Sequence, residues 1–163
     1  MKRLVTLTMA VLFVFAFAFA ASAANEYTGY YVSTSYGEAG KSHTFDTVDG
    51  LPVKFVAHIE LRPDGTYEGL IFGGLIRGEW QAMKTPKGNE FAGMRLMEAV
   101  DETYAKRYPK KGMLAFMLAP RADGSFMLMQ IDSDEQMLME KRPGKFDFDK
   151  VVDEIKKFLS GEK

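Results

Sequence analysis

Short runs in which apolar and polar residues alternate, separated by tight-turn sequences, constrain the fold of this chain most. In the clearest run, Val53–Leu61, every second residue is apolar, which is the period of a strand with one buried face. Turn sequences such as Arg62–Thr66 and Gly73-Gly74 follow at short intervals. The sequence therefore predicts a mainly β, antiparallel fold in which consecutive strands are neighbours.

The apolar positions also predict the register of two hairpins. A three-residue loop, Pro63–Gly65, with Gly65 left-handed, places Leu61 opposite Tyr67 and keeps the apolar residues on one face. A two-residue turn at Gly73-Gly74 places Tyr67 opposite Trp80. Two apolar sets result: a core stripe of Tyr67, Ile71, Ile76 and Trp80, and a set on the face expected to meet water, Leu70, Phe72 and Leu75.

Other segments complete the predicted order of elements. Residues 33–50 are rich in Ser, Thr, Gly and Asp and are predicted to form a long loop. A helical period predicts a short helix near 96–108, and an apolar stripe at 151–159 predicts a terminal helix capped by Asp147 or Asp149. Further strands are predicted at 27–32, 90–97, 113–119, 125–131 and 136–141.

Residues 1–23 have the order of a secretory signal peptide. Two basic residues precede an apolar run at 4–20, and Ala21-Ser22-Ala23 follows. We expect cleavage after Ala23, no stable membrane anchor after that cleavage, and a periplasmic or secreted bacterial protein. The remaining residues, 24–163, are predicted to form a single domain.

Composition and motifs exclude several classes of function. The chain has no cysteine, so neither disulfides nor a lipid-modified cysteine is expected. Its formal net charge of −1 is too small to indicate a nucleic-acid partner. It has no phosphate-binding loop, no redox motif and no recognisable catalytic triad. We therefore predict a protein that is not an enzyme and has no cofactor.

The methionines and histidines are the remaining candidates for metal or proton chemistry. The runs Met127-Leu128-Met129 and Met137-Leu138-Met139 resemble the Met-x-Met pairs of proteins that bind Cu(I) or Ag(I), which thioethers suit. An even-numbered loop between these strands would place the two pairs on opposite faces, which favours packing or pocket lining over a metal site. His58 is predicted on the exposed polar face of its strand, and His43 in a loop.

Three short motifs together resemble those of bacterial lipocalin-like, or calycin-type, envelope proteins. They are Gly29-Tyr30-Tyr31, Asp64-Gly65-Thr66-Tyr67 and Gly78-Glu79-Trp80, and the terminal helix adds to the likeness. The resemblance implies an antiparallel up-and-down barrel of about eight strands, closed so that no strand edge is exposed. A curved open sheet with both helices packed on it is the alternative.

The surplus of apolar residues leads to three functional interpretations. The first is an exported protein that binds a small apolar ligand inside the barrel. The second is an envelope protein that contacts a protein partner through Leu70, Phe72 and Leu75, and the third is a soft-metal binder. Strands 113–119 and 126–131 are apolar on both faces, so the terminal helix is expected to cover their outer face. The candidate pocket residues are Tyr67, Ile71, Trp80, Phe116, Phe126, Met127 and Met129.

Overall fold

The computed structural model describes residues 26–41, 44–99 and 111–161. A short 3-10 turn at Val53–Phe55 precedes the fifth strand. The strands are β1 (Gly29–Glu38), β2 (Thr44–Phe45), β3 (Thr47–Val48), β4 (Leu51–Pro52), β5 (Ala57–Leu61), β6 (Thr66–Ile71), β7 (Gly74–Lys84), β8 (Glu90–Ala99), β9 (Leu114–Pro120), β10 (Phe126–Gln130) and β11 (Glu135–Arg142). A C-terminal helix, α1, spans Phe148–Ser160.

Eight of these strands close into an antiparallel barrel. The order is β1, β5, β6, β7, β8, β9, β10 and β11, and β11 pairs back with β1. The closing ladder runs from Tyr30 opposite Arg142 to Glu38 opposite Glu135. The closed ladder confirms the predicted mainly β barrel with a C-terminal helix and shows that the open-sheet alternative is wrong.

The first predicted hairpin is confirmed and the second is wrong by two residues. Leu61 lies opposite Tyr67, and Gly65 is left-handed with a φ of 82°. The next turn is Phe72-Gly73, not Gly73-Gly74, so Tyr67 lies opposite Gly78. Because the shift is even, the predicted faces of β6 and β7 are unchanged.

Two contacts explain the register of the β6–β7 hairpin. The Phe72 N–H donates to the Val56 carbonyl at 2.8 Å, which fixes the start of the turn. The Tyr67 ring packs over Gly78, where an added Cβ would lie 2.6 Å from the ring. Glu68 then faces Arg77, and their side chains form an ion pair at 2.8 Å. The alternation pattern in the sequence gave no sign of the hydrogen bond between Phe72 and Val56.

Strand β1 is longer than the sequence predicted. It continues to Glu38, so the long loop predicted at 33–50 is wrong in its first part. The Ser33 hydroxyl is buried, accepts from the Ala57 N–H at 3.0 Å and donates to the Val53 carbonyl. Serine is therefore tolerated inside the barrel because its hydroxyl has backbone partners.

Two other predicted elements are corrected. The strand predicted from Val53 begins only at Ala57, after the 3-10 turn. Leu96–Ala99 ends strand β8, so the helix predicted near 96–108 is wrong for these residues. The rest of that segment lies outside the described residues, as do residues 1–23 and His43.

Helix α1 packs on the outside of the barrel. The Asp147 carboxylate caps it by accepting from the Lys150 N–H at 3.1 Å, which confirms one of the two predicted caps. Val151 packs with Phe146 on Leu70 of β6. The helix therefore covers β6 and its neighbours, and the expectation that it covers β9 and β10 is wrong. In the described ranges, no helix is long and apolar enough to cross a bilayer.

Removing the Trp80 side chain should destabilise the barrel strongly. Trp80 is 6% exposed, its Nε1–H donates to the Arg62 carbonyl at 2.9 Å, and its ring lies 6.4 Å from that of Tyr27. We expect Trp80→Ala to lower the free energy of unfolding by about 3–5 kcal/mol in urea titrations. Trp80→Phe should lose less. Because Trp80 is the only tryptophan, a wild-type emission maximum typical of water-exposed indole would contradict this burial.

Two substitutions on α1 should separate the packed side of the helix from its free side. Val151 is 5% exposed and Leu159 is 69% exposed. We expect Val151→Ala to cost about 1–3 kcal/mol in chemical denaturation. Leu159→Ala should stay within about 0.5 kcal/mol of wild type, as surface substitutions usually do. Equal effects of the two changes would show that α1 is not docked as described.

Candidate functional site

The lumen, meaning the inside of the barrel, is packed with large side chains. Five of the predicted pocket residues point inward and belong to one buried cluster: Tyr67, Ile71, Trp80, Phe116 and Phe126. Tyr67, Ile71 and Phe116 are each 0–1% exposed. A side chain so buried adjoins no space that could hold a water molecule, so these three line no open pocket.

The other two predicted pocket residues lie on the opposite face. Met127 and Met129 alternate with the buried Phe126 and Leu128 of β10 and are half-buried on the outside of the barrel. Met127 lies opposite Leu138, while Leu128 lies opposite the buried Met137. The predicted separation of the two Met-x-Met pairs is confirmed, but the placement of Met127 and Met129 in the lumen is wrong.

The predicted outer interaction surface is divided by the fold. Leu70 is only 1% exposed because Phe146 and Val151 cover it, and Leu75 packs at the edge of the same cluster. The prediction that Leu70 lies on a face open to water is therefore wrong. Phe72 belongs elsewhere: its ring packs against Tyr36 at the end of the barrel.

A β-bulge turns two unpredicted side chains toward the lumen at that end. Strand β1 has one extra residue, Thr34, between Ser33 and Ser35, which pair with consecutive residues of β11. Beyond the bulge, Tyr36 lies opposite the buried Met137. Glu38, two residues further, therefore shares the lumen-facing side, and it lies directly opposite Glu135. We call this end of the barrel the mouth.

Three aromatic rings form the apolar part of the mouth. The Tyr36 and Phe72 rings meet edge to face with centroids 5.8 Å apart. The Phe45 ring lies 6.3 Å from that of Tyr36 and is 49% exposed. An exposed ring beside two half-buried ones leaves aromatic surface that a ligand can reach.

Carboxylates surround the Tyr36 hydroxyl. It donates to Glu135 Oε1 at 3.1 Å. Burial raises the pKa of Tyr36 to about 12, and the negative charges of Glu135, Glu38 and Asp49 contribute to this rise. Lys41 forms an ion pair with Glu38 and is itself exposed. We call Tyr36, Phe45, Phe72, Glu38, Glu135 and Asp49 the mouth site.

The backbone of the mouth is strained. In the part of the chain that the structure describes, the non-glycine residues with positive φ are Asp49 (51°), Phe72 (49°) and Asp132 (61°). Asp49 and Phe72 belong to the mouth site, and Asp132 lies in the turn that leads to Glu135. A bulky residue such as Phe72 rarely adopts this conformation, which costs on the order of 1–3 kcal/mol. Strain of this kind is often concentrated at functional sites.

His58 is buried, contrary to the prediction from its strand pattern. It is 5% exposed, and its Nδ1 lies 2.6 Å from the Tyr30 hydroxyl. Its ring stacks on Tyr30 and lies 6.5 Å from the ring of Phe146. The polar face of β5 is therefore covered by the segment that leads into α1, which the strand pattern alone could not reveal. This placement makes His58 a structural residue.

Burial of His58 should make stability depend on pH. Desolvation lowers the pKa of His58 from 6.5 to about 4, although the Lys54 carbonyl and Glu154 oppose this shift. The unfolded chain therefore binds a proton that the folded chain does not between these two values. The stabilisation is fully present above pH 6.5 and falls by up to about 3 kcal/mol as the pH drops toward 4.

The measurement is urea unfolding at several pH values between 4 and 7. We expect His58→Gln to flatten the pH dependence in this window and His43→Gln, which removes the other histidine, to leave it unchanged. A steep dependence that survives in His58→Gln would show that another group is responsible.

No arrangement for a hard metal ion accompanies the mouth site. Within the described ranges, no group of three or more His, Cys, Asp and Glu side chains is placed to hold a metal. The mouth carboxylates are instead spread around aromatic rings. Such a combination suits an organic cation, which aromatic faces and carboxylates both attract.

Sequence reasoning missed the mouth site because four of its six residues, Tyr36, Glu38, Phe45 and Asp49, lie in the segment that was predicted to be a loop. The bulge at Thr34 breaks the two-residue period, so Tyr36 and Glu38 do not continue the alternation that begins at Tyr31. The sequence analysis did single out Phe72, but as part of the predicted outer interaction surface. The Glu38–Glu135 pair depends on barrel closure, and no local pattern signals it.

Comparisons with known proteins leave the family open. No family model matches the chain, and no curated protein matches it. The chain is similar to a crystal structure of a DUF4847 family protein from Bacteroides vulgatus, with 13% identity over 72% of this chain and 95% of that chain. The TM-score is 0.37.

Proposed function

We propose that this chain is an exported binding protein of lipocalin-like architecture that holds an organic cation at the mouth of its barrel. The observation that carries the proposal is the lumen-facing pair Glu38 and Glu135, which lie directly opposite each other beside the Tyr36 ring. The proposed activity is binding, without a chemical step.

The electrostatics of the mouth favour a positively charged ligand. Like charges directly opposite each other on neighbouring strands are destabilising, and Asp49 adds a third carboxylate near Tyr36. A bound cation would relieve this repulsion. The Lys41 ammonium already pairs with Glu38, and because Lys41 is exposed, a cationic ligand can replace it.

The aromatic rings favour an organic cation over a bare ion. A cationic group within about 6 Å of an aromatic face gains about 0.5–2 kcal/mol from the ring quadrupole. Phe45 is exposed enough to receive such a group, while Phe72 and Tyr36 form the wall beside it. An apolar tail on the ligand would extend across Phe45.

We infer that the ligand binds at the mouth and not inside the lumen, which differs from the interior apolar ligand expected from the sequence. Tyr67, Ile71 and Phe116 fill the interior, so a fatty chain could enter only if they moved. A protein partner could also supply the cation, through a lysine or arginine side chain, in place of the predicted contact at Leu70, Phe72 and Leu75. A free ammonium compound and a cationic peptide are therefore separate arms of one test.

The test is calorimetric titration with ligands that differ only in charge. We expect hexyltrimethylammonium to bind in a 1:1 ratio, and hexanol and hexanoate to bind at least several-fold more weakly. Binding of the ammonium compound should weaken with added salt, since the carboxylates are partly exposed. A short acetylated peptide with one lysine is the second arm, and its tighter binding would identify a protein partner as the source of the cation.

Matched substitutions locate the binding. We expect Glu135→Gln, which keeps a hydrogen-bond acceptor for Tyr36, to weaken binding of the ammonium compound about five- to tenfold, or about 1 kcal/mol. Glu140→Gln is the control, since Glu140 lies on the same strand in an exposed ion pair with Arg142. Equal losses in both variants, or equal binding of hexanol and hexyltrimethylammonium, would contradict the proposal.

A further inference from the structure

A group of methionines lies together on the outside of the barrel, away from the mouth site. Met117 of β9 and Met129 of β10 are directly opposite each other, and both are half-buried. Their neighbours Phe116 and Leu128 point into the lumen, so both methionine side chains point outward. Directly opposite residues on neighbouring strands have Cβ atoms about 4.5–5.5 Å apart.

A third thioether reaches the same place from β7. Gly93 of β8 lies opposite Met117 on its other side. The Met83 sulfur occupies the space where a Cβ on Gly93 would lie, with a Leu114 methyl 3.1 Å from that position. Because Gly93 has no side chain, the Met83 sulfur lies one strand away from Met117. Met83, Gly93, Met117 and Met129 thus form one row across four strands.

We propose that Met83, Met117 and Met129 bind a soft monovalent cation, Cu(I) or Ag(I), through their three sulfur atoms. Thioethers are soft ligands that select Cu(I) and its analogues over harder ions. Three neutral sulfur donors leave the positive charge of the ion uncompensated, which is acceptable at a half-exposed position and would be costly in the lumen. The inference does not depend on the organic-cation site at the mouth.

Methionine as adaptable packing is the competing explanation, and the chain contains its own comparison. Met94, Met137 and Met139 point into the lumen and are 0–4% exposed, as packing residues should be. The three outer methionines instead lie in one row with Gly93 and have unbranched side chains that can rotate toward a common point. Met127 lies two residues before Met129 on the same face but is opposite Ala119 of β9, outside the row.

The predicted soft-metal site of the Met-x-Met runs is not the site proposed here. That site needed all four methionines of 127–139 on one face, which the strand register excludes. The new site takes one methionine from each of three strands, and it follows from the pairing of β9 with β10 and from the space above Gly93.

Silver nitrate is the probe, because Ag(I) keeps its oxidation state without a reductant, and the buffer contains neither chloride nor thiols. We expect native mass spectrometry to show one Ag(I) per chain. In spectra of protein labelled with carbon-13 at the methionine methyl groups, the signals of Met83, Met117 and Met129 should shift, and those of Met94, Met137 and Met139 should not. Since a thioether loses no proton on binding, the affinity should be the same at pH 6 and pH 8.

Volume-conserving variants test the assignment. We expect Met117→Leu to weaken Ag(I) binding at least tenfold, and the double variant Met117→Leu/Met129→Leu to abolish the 1:1 adduct, with both retaining the wild-type melting temperature within a few degrees. Met113→Leu is the control, because Met113 is 54% exposed and lies outside the row. Equal losses in Met113→Leu and Met117→Leu, unchanged binding in the double variant, or shifts confined to other methionines would each overturn the proposal.

Discussion

The pairing of β1 with β11 is the constraint on which the rest of this structure depends. It joins the two ends of the strand order and removes the edges that an open sheet would expose. Thr34 forms a bulge in this ladder, and on both sides of the bulge β1 pairs with β11, from Arg142 to Glu135. The same bulge turns Tyr36 and Glu38 toward the mouth, so the closing ladder also shapes the candidate site.

Local patterns in the sequence were sufficient for most of the strands and for many of the faces on which side chains lie, although the end of β1 and the start of β5 were missed. The three-residue loop before Thr66 could be chosen because only that length keeps Leu61 and Tyr67 on one face. The same parity argument placed Met127 and Met137 on opposite faces before the structure was known. The alternation of apolar residues and the odd or even length of a loop depend only on residues that are close together in the sequence. These predictions are therefore confirmed.

Features that depend on distant parts of the chain could not be predicted in this way. The turn at Phe72-Gly73 is fixed by Val56, and His58 is buried by a segment more than 80 residues later in the sequence. The methionine row requires the register of two hairpins and an empty position at Gly93. The mouth site requires barrel closure. Each of these features brings together residues from distant parts of the chain, and no local sequence pattern indicates that they meet.

The two ends of the barrel differ in how they are packed. One end is closed by Trp80 and Tyr27, whose rings pack against each other. The indole N–H of Trp80 also donates to the Arg62 carbonyl. At the other end, the chain keeps a strained Phe72 and the Glu38–Glu135 pair. A fold can retain such unfavourable features only where the surrounding structure over-determines them. Tyr36 and Phe72 pack against the buried core cluster, so the packed lumen holds the mouth residues in the positions that the proposed ligand would contact.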